Sequence, residues 1–380
     1  MLRSVPKIAM VTSEAVPFAK TGGLADVCGA LPKALVALGA QVALFLPRYS
    51  TITQPLRRIG EFYVPYGPGY RATLEQAELD GYTAFFISQD ELFNRPNLYG
   101  YSDDPYRFGF FARAFVSAIS SSGFFPEVVH CHDWQAGLVP AILRHGFLVP
   151  PALSDLPVVF TIHNLQYQGL EDRRLLDWAR LPQYLFHPEG LEFHGSASCL
   201  KAGVVYANQV TTVSPTYAQE IQRSELGYGL EGLLSKTALQ GRLRGILNGL
   251  DYQEFNPATD QRLYQTYDAH TLEGKRANKR ALLKDLGLPA EQDLPVIGMV
   301  TRLADQKGLD LFPPVLDQIM ELPLRLVLLG TGEDKYHQLF TQVARRFPHK
   351  VSLHLKFDAQ LAQRIYAAAD LFLMPSRFEP

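Results

Sequence analysis

Cysteine is scarce in this chain of 380 residues, which holds three of them, Cys28, Cys131 and Cys199. They are widely spaced and form no Cys-x-x-Cys pair, so neither a disulfide framework nor a zinc site is signalled. That usage suits a reducing cytoplasm. Excess charge of either sign is also missing. Lys and Arg number 36 against 38 Asp and Glu, a formal charge of -2, which gives no electrostatic ground for a nucleic-acid partner. No apolar run approaches the ~18 residues that a membrane-spanning helix needs. The first apolar run, Ile8 to Val11, is too short for a signal-peptide core and has proline on both sides. Short-period repeats and low-complexity tracts are absent as well. What remains, with 47% hydrophobic residues, is the composition of a soluble globular protein. The length exceeds what one hydrophobic core usually supports and predicts two or three domains, with two as the first reading.

Short runs rich in Val, Ile and Phe recur along the chain: KIAMVT from Lys7, QVALFLP from Gln41, TAFFIS from Thr83, VVHCHD from Val128, PVVFTIHN from Pro157 and QVTTVS from Gln209. Longer segments with helical periodicity separate them. Continuous apolar runs of this length fit parallel strands buried on both faces, with helices as crossovers. The rhythm resumes with PVIGMVT from Pro295, RLVLLG from Arg325, VSLHLKF from Val351 and LFLMPS from Leu371. Between the two series lies Asn248 to Gln261, NGLDYQEFNPATDQ, polar and rich in turn signals. The fold class is therefore α/β, with two Rossmann-like doubly wound domains facing across a cleft. The expected division is residues 1–247, a hinge at 248–261, and residues 262–380. In such sheets ligands bind beyond the carboxyl ends of the strands, so the residues just after each apolar run are the candidates.

The segment Lys20-Thr21-Gly22-Gly23-Leu24-Ala25-Asp26 follows the first strand and precedes an apolar helical run, Leu24 to Leu38. Two glycines let the backbone approach a ligand, helix-opening N–H groups favour an anion, and Lys20 adds a point charge. A flexible turn with a solvated lysine is the other reading, and the segment alone leaves both open. Gly227-Tyr228-Gly229-Leu230-Glu231-Gly232 matches the dinucleotide fingerprint in letters, but a helix rather than a strand is predicted before it. Gly330-Thr331-Gly332 does follow a strand, as either a phosphate turn or a plain strand-to-helix turn. His163 and Asn164 end one buried run; Asp133 and Trp134 end another. Such polar groups at neighbouring strand ends suit sugar hydroxyls. In the second series Arg302 and Lys307 follow PVIGMVT, where a planar fork and a compact charge at the start of a helix would suit a diphosphate. Glu379 lies just beyond LFLMPS, placed to hold sugar hydroxyls or to balance positive charge in a transition state.

Taken in order, KTGGLADV, HDWQAGL, TIHNLQYQG, KAGVVYANQVTTVSPTYA, GLEGLL, GILNGLD, RLADQKGLD and MPSRFEP closely resemble the bacterial glycogen synthase and plant starch synthase family. The resemblance runs from the first strand to the last residue. It implies a GT-B retaining glucosyltransferase that moves glucose from ADP-glucose, a co-substrate rather than a cofactor, to the non-reducing end of an α-1,4-glucan. Carried onto matching positions, Lys20, Gly22 and Gly23 approach the diphosphate and glucose, and Asp26 helps hold the nucleotide. Arg302 and Lys307 neutralise the departing ADP. His163 lines the glucose pocket with its carbonyl beside the anomeric carbon, Asn248 reaches a sugar hydroxyl, Asp133 is the aspartate of HDW, and Glu379 stands at the glucose ring. Phe357 falls where bacterial relatives often carry a tyrosine beneath the adenine, a change that keeps stacking and removes a hydroxyl. The resemblance implies neither a metal nor a paired carboxylate nucleophile, unlike retaining hydrolases.

The family pattern continues beyond SRFEP with a Cys-Gly-Leu-Thr-like segment, a second glutamate and further strands, whereas this sequence stops at Pro380. The expectation is a second domain lacking part of its sheet and of its phosphate cradle, hence a fragment or a poorly active enzyme. Lys20 would then matter only when the two domains can close. The competing function is a catalytically weak glucan- or nucleotide-sugar-binding protein. A nicotinamide-dependent dehydrogenase is disfavoured by the misplaced and incomplete glycine fingerprints.

Overall fold

The structure is a computed structural model that describes residues 5–380. The chain divides into two compact units, one extending to Gly249 and the other from Leu250 to Glu379. Asn248 to Gln261 holds no helix or strand.

The first unit contains β1 (Lys7–Val11), β2 (Gln41–Pro47), β3 (Arg57–Val64), β4 (Tyr70–Leu79), β5 (Tyr82–Ser88), β6 (Val128–His132) and β7 (Val158–Ile162). A small antiparallel sheet of β8 (Leu170–Glu171), β9 (Glu192–Phe193) and β10 (Ser196–Ser198) follows, then β11 (Gln209–Thr212) and β12 (Leu243–Gly245). The large sheet has nine strands in the order β12-β11-β7-β6-β1-β2-β5-β4-β3. From β12 to β5 every neighbour is parallel; β4 and β3 add an antiparallel wing. All six apolar runs of the first series are strands here. The wing had no such run to mark it. β3 alternates exposed and half-buried residues because one face is solvated, so its apolar positions are diluted by charge.

Burial on both faces explains the parallel strands. In β2 every residue after Gln41 is buried. The helix Asp104–Ser122 lays Phe108, Phe110, Phe111 and Phe115 into this core. Phe115 meets Phe45 of β2 edge-on at 5.0 Å, and Phe45 stacks on Phe85 of β5 at 4.9 Å. Each fully buried ring contributes about 1.5–3 kcal/mol relative to exposure.

The second unit contains β13 (Val296–Val300), β14 (Arg325–Leu329), β15 (Val351–His354) and β16 (Leu371–Phe372), all parallel in the order β15-β14-β13-β16. β16 lies at the sheet edge, and its Leu371 and Phe372 are 58% and 44% exposed. The four runs of the second series are these strands. The strand order reverses twice in the protein, at β6-β1-β2 and at β14-β13-β16. A crevice opens at the carboxyl ends where the order reverses, which is where ligands dock in such folds.

Candidate active site

At the first reversal, β6 runs directly into Asp133 and β7 into His163. Asp133 is held at φ 56 and ψ -179, close to a region that is essentially glycine-only, and this turns the chain into a short 3-10 turn, Trp134–Ala136. Its carboxylate Oδ1 accepts the backbone N–H of His163 at 2.7 Å and, more weakly, that of Asn164 at 3.5 Å. Burial pushes the Asp133 carboxyl up to about 7, against those two hydrogen bonds, with the nearby Glu14 adding to the rise. The Asn164 side-chain oxygen accepts from the Gln166 N–H at 3.0 Å, a local turn. The His163 ring meets His132 nitrogen to nitrogen at 3.0 Å. Asp133, His163 and Asn164 therefore form one constellation, as their strand positions predict.

Burial pushes His130 down to about 4 and His163 down to about 3, and drives His132 well down, helped by the neighbouring imidazoles. In the unfolded chain these groups titrate near ~6.5. Below that value the unfolded state binds more protons than the folded state, so stability falls as pH drops from about 6.5 toward 4. Asp133 acts in the opposite sense, because its folded form keeps a proton between about 4 and 7 that the unfolded form has lost. Three histidines outweigh one aspartate. The urea midpoint should be lower at pH 5 than at pH 7, and His130→Gln should flatten that pH slope; an unchanged slope would count against this account.

The loop after β1 carries Lys20, Gly22, Gly23 and Asp26. The helix Gly23–Ala37 starts there with Gly22 as its N-cap, and Gly22 supplies no side-chain cap. Sequence reasoning offers the amides that open this helix to an anion, and the two amides just ahead of them already have a partner. The buried Glu14 carboxylate accepts from the Thr21 N–H, from the Gly22 N–H at 3.3 Å and from the Thr21 hydroxyl at 2.7 Å. The Tyr99 hydroxyl donates to it at 2.8 Å. A resident carboxylate thus holds the turn that leads into the helix. Glu14 was missed because its partners lie seven and eight residues on, brought back by a loop that no local pattern describes. Lys20 is not a free charge either, since its ammonium pairs with Asp26 at 2.6 Å. A Cβ added at Gly22 or Gly23 would meet no atom within 4 Å, and neither has a positive φ, so no internal contact requires glycine there.

At the second reversal, Lys307 Nζ contacts Glu379 Oε1 at 2.5 Å, and the Ser376 hydroxyl donates to the same oxygen at 2.5 Å. Arg302 reaches Gln306 Oε1 at 3.3 Å, and Gln306 in turn accepts the Arg377 N–H on its carbonyl at 2.9 Å. The loops after β13 and β16 are thereby joined, bringing Arg302, Lys307 and Glu379 together. Lys307 does not open a helix, contrary to expectation. Asp305–Lys307 is a single 3-10 turn closed by Gly308 at φ 64. Pro313 and Pro314, which lack the N–H that a helix interior needs, follow too soon for a helix to grow. The charge at this site is therefore supplied by side chains without a helix dipole.

The remaining candidates make none of the hydrogen bonds that join these groups. Phe357 follows β15 and is 77% exposed, and Asn248 is exposed in a segment without regular structure. Gly330 and Gly332 have a packing reason: a Cβ at either would lie 2.0 and 2.2 Å from the carbonyl oxygens of Thr301 and Leu303. Gly227 to Gly232 runs through turns into the helix Glu231–Leu239, with no strand before it. The helix ahead of it ends at Glu220, earlier than the sequence suggests. Among the described residues no group of three or more His, Cys, Asp or Glu is placed to hold a metal ion, and no helix is long and apolar enough to cross a membrane.

Two parallel α/β units, each with its polar cluster at a strand-order reversal, define the GT-B class of glycosyltransferases. The starch synthase catalytic domain family matches residues 7–236, and glycosyl transferases group 1 matches residues 294–380. The glycogen synthase of Moorella thermoacetica is 46% identical over 378 residues, covering 98% of this chain and 77% of that protein. The glycogen synthase of Geobacillus stearothermophilus is 45% identical over 380 residues, covering 98% and 78%. Among solved structures, the catalytic domain of starch synthase IV from Arabidopsis thaliana bound to ADP and acarbose superposes with a TM-score of 0.93 at 35% identity, covering 99% of this chain and 79% of that one. The chain belongs to the glycogen and starch synthase family of glucosyltransferases.

Proposed function

We propose that this chain transfers glucose from ADP-glucose to the non-reducing end of an α-1,4-glucan, with retention at the anomeric carbon, in the cytoplasm and without a cofactor. The observation that carries the reading is that each unit presents its own cluster at a strand-order reversal, a cationic one in the second unit and a sugar-suited one of neutral imidazole and carboxylate in the first. The starch synthase IV structure, which holds ADP and acarbose, supports a nucleotide and a glucan as the ligand classes.

In this reading Arg302 and Lys307 neutralise the diphosphate as the bond from C1 to its oxygen breaks, which is where negative charge develops. The acceptor hydroxyl forms the new bond to C1 from the same face, and its proton passes to the departing phosphate. Glu379, held by Lys307 and Ser376, binds sugar hydroxyls. The His163 carbonyl lies beside the anomeric carbon, and Asp133 fixes that main chain by taking the His163 N–H. Lys20 leaves Asp26 to reach the donor, while the open space around Gly22 and Gly23 admits it. Asn164 and Asn248 meet hydroxyls, and Phe357 stacks on the adenine.

Incubation with glycogen and a mixture of ADP-glucose and UDP-glucose tests the proposal. ADP release in step with glucan growth, and preference for ADP-glucose, are expected. Binding of glucan or donor without turnover would instead mark a binding protein, and preference for UDP-glucose would overturn the choice of donor.

A further inference from the structure

The strand β6 spells Val-Val-His-Cys-His, and alternation puts His130 and His132 on one face of the sheet with Cys131 on the other. The His132 ring lies against His130 with centroids 4.1 Å apart and planes tilted by 36°, and its Nδ1 lies 3.0 Å from Nε2 of His163. His130 is anchored in turn by the Thr161 hydroxyl at 2.7 Å, which also bonds the Thr211 hydroxyl at 2.7 Å. All three histidines are kept neutral by burial. One nitrogen of the His132–His163 pair must therefore donate and the other accept.

The far side of His132 decides which. Its Nε2 is buried and has no hydrogen-bond partner among the described residues. If Nδ1 were the acceptor, the ring proton would sit on Nε2 as an orphaned buried N–H. An unmatched acceptor is the more tolerated of the two faults. The proton therefore sits on Nδ1, and Nε2 is left with a lone pair. His163 Nε2 is then the acceptor, and its own proton must be on Nδ1, which has no protein partner among the described residues.

We propose that His132 is a positioning residue that donates Nδ1–H to His163 Nε2, fixing His163 as the Nδ1–H tautomer so that its free nitrogen presents a donor to a sugar hydroxyl. The proposal rests on the sugar-facing role of His163 given above. Asp133 and His132, adjacent in the chain, thus hold His163 at two points, its backbone N–H and its ring.

Asparagine places an N–H near the position of the histidine Nδ1, whereas phenylalanine keeps a ring and removes the donor. His132→Phe should lower kcat about tenfold to a hundredfold with little change in the donor KM, the scale of a misplaced substrate-orienting group. His132→Asn should recover most of that loss. In a His163→Ala background His132→Phe should cost nothing further, since its effect passes through the missing ring. Equal loss in both backgrounds, or equal loss for His132→Asn and His132→Phe, would overturn the proposal. Nitrogen-15 spectra of the histidine-labelled full chain read the tautomer without catalysis. Protonated Nδ1 and unprotonated Nε2 at His163 are expected, and the reverse pattern overturns the assignment. A chain that shows the expected tautomer yet transfers no glucose would sink the glucosyltransferase reading and leave the hydrogen bond standing.

Discussion

Lys307→Ala should lower kcat by about 10²–10³ while the glucan KM changes little, because a charge aimed at a developing oxyanion matters most in the transition state. The Lys307 side chain is only 13% exposed and lies 2.5 Å from Glu379, so its removal strips the counter-charge from a group assigned to the glucose. Lys307→Arg should recover part of the activity at best, since a planar fork does not reproduce a compact ammonium. Lys335→Ala is the control. That lysine pairs with Asp305 at 2.5 Å and Glu333 at 3.0 Å on an exposed part of the same unit, and its loss should leave kcat within about twofold, as for most surface pairs. Steady-state ADP release at saturating donor separates the outcomes, and a fully active Lys307→Ala would remove this lysine from the chemistry.

The second large effect concerns stability. Asp133→Ala leaves the buried His163 N–H without an acceptor, a loss of about 1–3 kcal/mol, and still forces a Cβ into a conformation suited to glycine. Asp133→Gly suffers the same lost hydrogen bond but releases about 1–3 kcal/mol of backbone strain, less about 0.5–1 kcal/mol for the greater freedom of glycine when unfolded. Asp133→Asn keeps an acceptor oxygen and tolerates positive φ. Urea denaturation should therefore rank the proteins as wild type and Asp133→Asn, then Asp133→Gly, then Asp133→Ala. Alanine at or above glycine in that order would show that the φ of 56 is not under strain.

Ten strands were legible from their apolar runs, most of them because burial on both faces writes itself as Val, Ile, Leu and Phe, whereas β16 kept its run at an exposed sheet edge. The antiparallel β3 and β4 were not, since Arg57, Arg58, Glu61 and Arg71 face solvent between their apolar neighbours. The grouping of Asp133 with His163, and of Lys307 with Glu379, was legible for a topological reason: neighbouring strand ends converge whatever lies between them. Glu14 was hidden, although it sits three residues after β1, because its function is to receive donors from a loop whose path is set by tertiary packing. His132 lies inside a run whose apolar character marks a strand and says nothing of its ring. The signal available was its spacing of two from His130, which places both imidazoles on the same face. Lys307 was put on a helix by the usual strand-to-helix rhythm, and Pro313 and Pro314 broke that rhythm.

Gly308, Gly330 and Gly332 bring main chain directly against main chain, with Cβ positions that would fall 2.0–2.2 Å from the carbonyl oxygens of Pro375, Thr301 and Leu303. The loop bearing Arg302 is therefore registered against both the end of β14 and the Glu379 loop by close approach of peptide groups, with the side-chain contacts of Lys307 and Gln306 added to it. For an engineer the consequence is a division of labour. A methyl group on Gly308 would push the Arg302 loop off Pro375, and one on Gly330 or Gly332 would push the same loop off the end of β14, whereas the Arg302 side chain, which reaches Gln306, can be exchanged without moving the main chain.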